Sequence, residues 1–338
     1  MSAMGDVAMT VPVVAAVRRA YPEMRITVVT RPFFRPFFAD VEGVEFADVE
    51  LKGRHKGVDG IRLLADELAA EGVDAVADLH GVLRSHLLRS FMALKGCATA
   101  RIRKGRIEKR QLTRKGAVHS GQLRTSIERY TEVMHRLGLE PDSVDRWQPS
   151  ERNIPEAIRL HAPKGGVWIG VSPFAMHRGK AYPLELMERA VEIMASQVER
   201  VFIFSGGEQE KQATQRMESL AGNVHSVVGV MSLSDEIDLM ANLDVMVAMD
   251  SSAMHMSSLV GTPVVSIWGA THPYAGFYGF GQSPDGALQV DMECRPCSVF
   301  GNKPCKWGDY RCMTSISPEM VARKVLDTAH QHVSNEKK

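Results

Sequence analysis

The sequence has no apolar run close to the roughly 20 residues that a membrane-spanning helix needs. Met1–Val14 also lacks the basic start and the apolar centre of a secretory signal. Because 41 Lys and Arg residues are balanced by 40 Asp and Glu residues, the net charge is only +1 and offers no overall field for nucleic acid. The odd number of cysteines, 5, favours reduced thiols over a disulfide framework. We therefore expect a cytoplasmic protein without a nucleic-acid partner.

Low-complexity segments and repeats of roughly 20–50 residues are missing too. A chain of 338 residues suffices for one or two domains with a large core. Apolar strands alternate with amphipathic helices in two successive blocks, which predicts parallel sheets. We expect an α/β protein in which two Rossmann-like domains face each other across a cleft. The expected parts are residues 1–150, residues 165–317, and a closing helix with its tail at 318–338.

The start of the chain does not fit this pattern. Met1–Asp6 is typical of a turn that leads directly into a helix beginning at Val7. A doubly wound domain should place a strand before that turn, and an empty central position would leave strand edges unpaired. We therefore expect that the first strand is missing because the gene start has been placed too late.

The most informative stretch has a strand–turn–helix–strand pattern. Val245–Met249 predicts a buried strand, Asp250–Ser252 a tight turn with a helix N-cap, Ala253–Val260 a helix, and Val264–Trp268 a second strand. Such a turn lies at the carboxyl edge of a parallel sheet, where its free N–H groups and the helix dipole favour an anion, typically phosphate. His255 faces the same end of the helix. The alternative interpretation is an ordinary βαβ unit with a capping Asp and a surface His.

Two further strand ends suit the same ligand. Ser172, after the strand Val167–Val171, could donate a hydrogen bond to phosphate, and the ammonium group of Lys180 could meet the phosphate oxygens. The next strand ends in Ser-Gly-Gly-Glu, where Glu208 could bind a ribose hydroxyl. Taken singly, such a lysine is usually solvated and a Gly-Gly turn is common. Taken together, the three strand ends would lie on one edge of one sheet.

In the first block, an acidic residue precedes the first predicted helix. Asp6 could simply favour the helix N-terminus. Alternatively, its carboxylate could stand at the mouth of the cleft and accept a proton from a substrate hydroxyl. A later strand ends in Asp78-Leu79-His80-Gly81.

Residues 101–124 contain nine Lys or Arg residues and one acid, Glu108. One interpretation is a solvated or mobile loop. The other is a grip on an anionic partner, such as phosphates, carboxylated sugars or a membrane surface. Nucleic acid is disfavoured because no aromatic residues alternate with the charges.

Four late cysteines form a cluster in the sequence: Cys294, Cys297, Cys305 and Cys312. A Cys-x-x-Cys pair with two further thiols could close a tetrahedral structural zinc site. The later spacings do not form the second pair of a typical zinc ribbon, so buried thiols or a labile disulfide are the alternatives.

Taken in order, these motifs resemble glycosyltransferase family 9, the ADP-heptose:lipopolysaccharide heptosyltransferases, over nearly the whole chain. The residues that carry the resemblance are Ser2–Val7, Asp78–Ser85, Lys180–Pro183, Gly206–Glu208, Asp250–His255, Gly261–Pro263, and the Cys cluster with Met313 and Ile316. The resemblance implies a GT-B fold. It also implies that residues 1–150 bind the acceptor and residues 165–317 the nucleotide-sugar donor.

Position by position, the resemblance implies that Asp6 is the general base. It also implies that six residues bind the donor: Lys180, Glu208, Asp250, Ser251, Ser252 and His255. We add Ser172 to this donor site because it follows a strand at the same sheet edge. The expected acceptor residues come from two stretches. Asp78, His80 and Arg84 belong to Asp78–Ser85, which matches the acceptor side of the family, and Arg103 and Arg106 belong to the basic stretch 101–124. Ser252 stands where the family usually has Gly, and Tyr182 where Trp is usual.

The resulting hypothesis is an inverting, metal-independent glycosyltransferase that needs no cofactor. It would transfer a heptose from ADP-heptose to an anionic lipid-linked saccharide, the core of lipopolysaccharide or lipooligosaccharide, with peripheral contact at the inner face of the membrane. The chain has no Asp-x-Asp, the motif by which sugar-nucleotide enzymes commonly hold a divalent cation. Lys180, helix dipoles and backbone amides would then stabilise the leaving diphosphate. The alternatives are a sugar-nucleotide epimerase and a non-catalytic nucleotide-sugar-binding protein.

Overall fold

The structure is a computed structural model that describes residues 3–115, 121–207 and 210–336. The chain forms two compact units, residues 1–105 with 124–148, and residues 106–123 with 149–338. The helices and strands are, in chain order, α1 (Met4–Ala8), α2 (Val11–Ala20), β1 (Ile26–Thr30), β2 (Val44–Asp48), α3 (Gly57–Ala70), β3 (Ala75–Asp78), α4 (Leu83–Leu94), β4 (Ala98–Arg101), α5 (Arg106–Lys115), α6 (Ser126–Arg136), β5 (Trp168–Ser172), α7 (Leu184–Ala195), β6 (Arg200–Ile203), α8 (Lys211–Glu218), β7 (Val224–Ser226), α9 (Leu233–Ala241), β8 (Val245–Met249), α10 (Ser252–Leu259), β9 (Val264–Ile267), β10 (Ala287–Leu288), α11 (Arg311–Thr314) and α12 (Pro318–Glu336).

The first unit contains two separate pairs of parallel strands. β1 pairs with β2, and β3 pairs with β4. One core cluster joins α3 to α4 through residues such as Leu64 and Met92, and a second joins α2 to α6 through Val13 and Tyr130. α6 begins at a capping box in which Thr125 and Glu128 satisfy each other's backbone N–H groups.

The helix predicted from Val7 onward is interrupted and starts earlier. α1 ends at Ala8 and α2 begins at Val11. Pro12 has no N–H to donate to the carbonyl of Ala8, so the helix cannot continue unbroken through this point. The prediction that Asp6 precedes the first helix is therefore wrong, because Asp6 lies in the first turn of α1.

The second unit is built on a six-stranded sheet in which all strand pairs are parallel, in the order β10-β9-β8-β5-β6-β7. Every residue of β5 and β8 is buried, as expected for central strands covered by helices on both faces. The largest core cluster packs these strands against α7 and α12, with Met187 and Val325 among its members.

The strand order places a topological switch point between β5 and β8. From β5 the chain continues to β6 and β7 on one side, and from β8 it continues to β9 and β10 on the other. The register pairs Ser172 with Ala248, so both strands end at the same edge. Open α/β sheets bind ligands at such a point.

The basic stretch does not form the loop considered from its charges, since Arg106–Lys115 is the helix α5. α5 packs within the second unit, where Leu112 is buried beside Ala275 and Phe277. Lys109 is also buried, with Nζ 3.7 Å from the centre of the Phe277 ring. These contacts hold the helix despite its excess of positive charge.

None of the helices in residues 3–115, 121–207 and 210–336 combines the length and the apolar composition required to cross a bilayer.

Candidate functional site

Two of the predicted donor residues meet at the switch point of the second unit. Ser172 is the last residue of β5, and Asp250 directly follows β8. Both residues are buried. Their side chains therefore begin from neighbouring strand ends on the ligand-binding edge of the sheet.

Lys180 reaches this edge from a separate segment, the short 3₁₀ turn Arg178–Lys180. Its Nζ lies 2.9 Å from Oδ2 of Asp250, and the two side chains are only 15% and 4% exposed. A buried charge is costly unless it is paired, and each of these two groups supplies the opposite charge for the other. The pair holds an ammonium group in a position from which it can contact an anion.

The N-terminus of α10 lies directly beside this pair. Ser251 is its N-cap residue, with extended backbone (φ −143°, ψ 179°) and no side-chain cap hydrogen bond. Within the described part of the chain, the buried Oγ of Ser251 has no hydrogen-bond partner. The first N–H groups of a helix have no acceptor inside the helix. With Ser251 Oγ and the helix dipole, they form a donor set suited to phosphate.

His255 closes the first turn of α10 and is buried. Burial, assisted by Lys180 and opposed by Asp250, lowers the pKa of His255 to about 4. The ring is therefore neutral at pH 7. Its Nδ1 is buried without a hydrogen-bond partner among residues 3–115, 121–207 and 210–336. A neutral imidazole here can exchange a hydrogen bond with a ligand without adding a second positive charge.

The end of β6 is organised by a glutamate that the sequence reasoning missed. Glu210 accepts hydrogen bonds from Ser205 Oγ and, at 3.1 Å, from the N–H of Gly206. An acid just before a helix that follows a Gly-Gly turn is the signal that could have identified it. Glu208 lies outside the described residues, so its contact with a ribose stays a prediction.

In the first unit, Asp78 organises the turn that follows β3. Its Oδ1 accepts from the N–H groups of His80 and Gly81 at 3.0 and 2.8 Å, and its Oδ2 accepts from Ser85 Oγ at 3.0 Å. His86 Nδ1 is 3.6 Å from the same Oδ2. Because both carboxylate oxygens are engaged, Asp78 acts on the site mainly by fixing the position of His80.

A cavity of about 1180 Å³ opens next to this turn, and all of its lining residues belong to the first unit. His80 and Arg84 line it as predicted acceptor residues, together with the cationic side chains of Arg31 and Lys52 and the carboxylate of Glu50. In the described part of the chain, neither Lys52 nor Arg84 has an ion-pair partner. Arg31 lies over the ring of Phe34 at 4.3 Å. Sequence reasoning missed Arg31 and Lys52, although Arg31 directly follows a strand end.

His80 is a partly buried member of this lining. Burial, assisted by Lys104 and Arg84 and opposed by Asp78, lowers the pKa of His80 to about 4. The neutral ring adds hydrogen-bonding capacity, and the three cations outnumber the one carboxylate of the lining, that of Glu50. This cavity can therefore take a polar ligand that carries negative groups.

The remaining residues expected to act on the acceptor side fall at different places. Asp6 in α1 is close enough to Tyr130 to contribute, after burial, to raising the pKa of that phenol. Arg103 is exposed in the first unit, and its carbonyl accepts from Arg129 at 3.0 Å. Arg106 begins α5, which belongs to the second unit.

The four late cysteines are all free thiols. Burial raises the pKa values of Cys297 and Cys312. In the described residues, no group of three or more His, Cys, Asp or Glu side chains is placed to hold a metal ion. A structural zinc at Cys294, Cys297, Cys305 and Cys312 stays a prediction.

Comparison with known families identifies the family of this chain. The family model described as "Glycosyltransferase family 9 (heptosyltransferase)" matches residues 61–306, which is most of the chain. The chain belongs to glycosyltransferase family 9. This family 9 member is therefore a glycosyltransferase of the heptosyltransferase kind, as the sequence motifs predicted.

Solved structures give the fold of this family 9 enzyme. ADP-heptose lps heptosyltransferase II from E. coli is similar at 17% identity and a TM-score of 0.70, with 98% of this chain and 97% of that chain covered. A family 9 glycosyl transferase from Veillonella parvula reaches 20% identity and a TM-score of 0.75, covering 98% and 95%. E. coli heptosyltransferase WaaC with ADP gives 16%, 0.66, and coverage of 97% and 98%. The GT-B prediction is confirmed.

A search of curated protein sequences found no match to the chain. Of the residues predicted for the donor site, the six that are described all belong to the second unit: Ser172, Lys180, Asp250, Ser251, Ser252 and His255.

Proposed function

We propose that this family 9 enzyme is an inverting, metal-independent heptosyltransferase that uses ADP-heptose as its donor. The observation that carries the proposal is the Lys180–Asp250 pair at the switch point, next to the open N-terminus of α10. A cation, free N–H groups and an unpaired serine hydroxyl are the groups that a diphosphate requires. A WaaC structure holds ADP and another holds ADP-2-deoxy-2-fluoro heptose, which supports an ADP-sugar as donor.

In the proposed reaction, Asp6 accepts the proton of an acceptor hydroxyl. The resulting oxygen nucleophile attacks the anomeric carbon from the face opposite the diphosphate, and the bond from that carbon to the diphosphate oxygen breaks. Lys180 and the N–H groups at the start of α10 stabilise the negative charge that develops on the leaving ADP. Glu208 contacts the ribose, and Ser252 and His255 complete the donor site. The chain lacks the Asp-x-Asp motif, so these groups take the place of a divalent cation.

The acceptor in this proposal is an anionic lipid-linked saccharide. The cavity of the first unit supports it, because Arg31, Lys52 and Arg84 can pair with carboxylates or phosphates while His80 bonds to hydroxyls. Arg103, which is exposed in the same unit, is a further cation of the proposed acceptor site. Arg106 stays a proposed acceptor residue on the charge of the basic stretch alone. We infer a cytoplasmic enzyme with peripheral contact at the inner membrane, since a lipid-linked acceptor presents its saccharide at the bilayer surface.

A ligand panel with product analysis tests the proposal. We expect ADP-heptose to raise the melting temperature of the protein in EDTA, and ADP-, GDP-, UDP- and CDP-glucose to raise it less. With a lipooligosaccharide core acceptor, the product should carry the heptose with inverted anomeric configuration. Preference for another nucleotide would refute the donor assignment. Release of an epimerised sugar without acceptor would favour the epimerase, and loss of transfer in EDTA would refute metal independence.

A further inference from the structure

We propose that the Cys-rich segment, residues 294–316, positions the Lys180 side chain, and that Gly301 is the residue through which it does so. The importance of this positioning for catalysis rests on the proposed role of Lys180 in donor binding. The Cys-rich segment would then act on the donor site through Lys180.

The Cys-rich segment is tied to the turn of Lys180 on both sides of that residue. Before it, the N–H of Gly179 donates to the carbonyl of Gly301 at 3.2 Å. After it, the buried hydroxyl of Tyr182 donates to the carbonyl of Ile316 at 2.7 Å. Lys180 therefore lies between two hydrogen bonds to the same segment. These bonds hold its backbone and restrict the direction in which its side chain can leave it.

The same segment is fixed to the loop after β9. The N–H groups of Cys297 and Ser298 both donate to the carbonyl of Ala270 at 3.1 Å, and the N–H of Ala270 donates to Gly179 at 2.8 Å. The buried Arg295 adds a bond from Nη2 to the carbonyl of Thr271 at 3.1 Å. The turn of Lys180 is thus hydrogen-bonded both to the Cys-rich segment and to the loop that follows the sheet strand β9.

The close approach at Gly301 leaves no room for a side chain. A Cβ atom there would lie 2.6 Å from Cγ of Lys180, and Gly301 has a left-handed φ of +73°. Cγ belongs to the stem of the lysine rather than its mobile end, so relief requires a shift of this stem, such as a different rotamer. A different rotamer would move Nζ away from Asp250, from which it is 2.9 Å distant.

The chain offers a matched control for Gly301→Ala. Gly308 lies in the same segment with a φ of +78°, but a Cβ atom there would meet nothing within 4 Å. Both substitutions therefore impose the strain of a left-handed alanine. Only Gly301→Ala also displaces Lys180.

The test is a double-mutant cycle on the full-length protein between Gly301→Ala and Lys180→Ala, with Gly308→Ala as reference. We expect Gly301→Ala to melt about 2–4 °C below Gly308→Ala. In the Lys180→Ala background that difference should vanish, because the clashing Cγ is gone. By calorimetry, Gly301→Ala and Lys180→Ala should each weaken ADP binding by about ten-fold, and the double variant no further. Gly308→Ala should bind ADP like the parent protein.

Additive effects of Gly301→Ala and Lys180→Ala, or equal behaviour of Gly301→Ala and Gly308→Ala, would overturn the inference. If Gly301→Ala does not fold, recovery of folding with Lys180→Ala supports it, and continued failure to fold overturns it. A parent protein that does not bind ADP would refute the proposed donor instead. The melting-temperature cycle, which needs no ligand, would still decide whether Gly301 positions Lys180.

Discussion

At the scale of single residues, charge compensation explains which groups can do chemistry in this enzyme. Asp250 is paired with Lys180, and Asp78 has both oxygens engaged by its own turn. Neither carboxylate is a good candidate for accepting a substrate proton. Burial lowers the pKa values of His80 and His255 to about 4, so both rings are neutral at pH 7 and weak as proton acceptors. The role of general base stays a proposal for Asp6, based on the resemblance of Ser2–Val7 to the family.

We predict that Asp6→Asn lowers kcat by roughly 10²–10⁴-fold, because proton transfer in the transition state contributes about that factor. The affinity for ADP should change little, since Asp6 lies in the first unit and the donor residues lie in the second. Steady-state kinetics and calorimetry check both statements. Asp59→Asn is the control, because Asp59 is an exposed acid in the first turn of another helix, α3. Unchanged kcat in Asp6→Asn would remove Asp6 from the mechanism.

At the scale of elements, local pattern decided what the sequence could predict. The strand before Asp250, the turn and α10 were predicted within a residue or two, because an apolar run and an N-cap are local signals. The donor motif could be assembled because parallel strands end at one edge. α5 was not predicted as a helix, because it is held by tertiary contacts with Phe277, far away in sequence.

The same limit explains the residues that were missed. Arg31 and Lys52 line one cavity with Arg84, yet they come from separate parts of the chain, and no spacing rule links them. The break between α1 and α2 depended on one proline, which the helical periodicity of Val7–Ala20 concealed. Sequence reasoning therefore fails here where distant segments meet, or where one backbone group is decisive.

We predict that Leu112→Ala detaches α5 from the second unit. The side chain is 1% exposed, and its loss should cost about 2 kcal/mol, the low end for buried leucines, since the cluster around it is small. Faster hydrogen exchange over residues 106–115 and a lower urea midpoint would show this. Ile107→Ala on the same helix should change neither, because that side chain is 73% exposed. Equal exchange in the two variants would mean that other contacts hold α5.

At the scale of the whole molecule, an almost neutral chain carries its positive charge unevenly. The net charge is +1, yet nine basic residues and one acid fall within residues 101–124. On α5, Arg106, Arg110 and Arg114 are exposed, four residues apart, and without ion-pair partners in the part of the chain that is described. Such spacing puts like charges on one face and disfavours the isolated helix. An anionic partner would remove that cost.

We predict that this face of α5 contributes to binding of anionic membranes. Exposed apolar side chains of the same unit, Ile107 and Phe300, could enter the interface beside the arginines. Each arginine near an anionic surface contributes about 1 kcal/mol, so Arg110→Gln with Arg114→Gln should weaken binding to phosphatidylglycerol-containing vesicles roughly 30-fold in co-sedimentation. Arg323→Gln with Lys324→Gln removes the same charge from α12 and should have a small effect.

Binding should also fall with added salt, because exposed charges are screened. Equal losses in the two double variants would show that net charge, and not the face of α5, governs the attraction. Undiminished binding to purely zwitterionic vesicles would show that the attraction is not electrostatic.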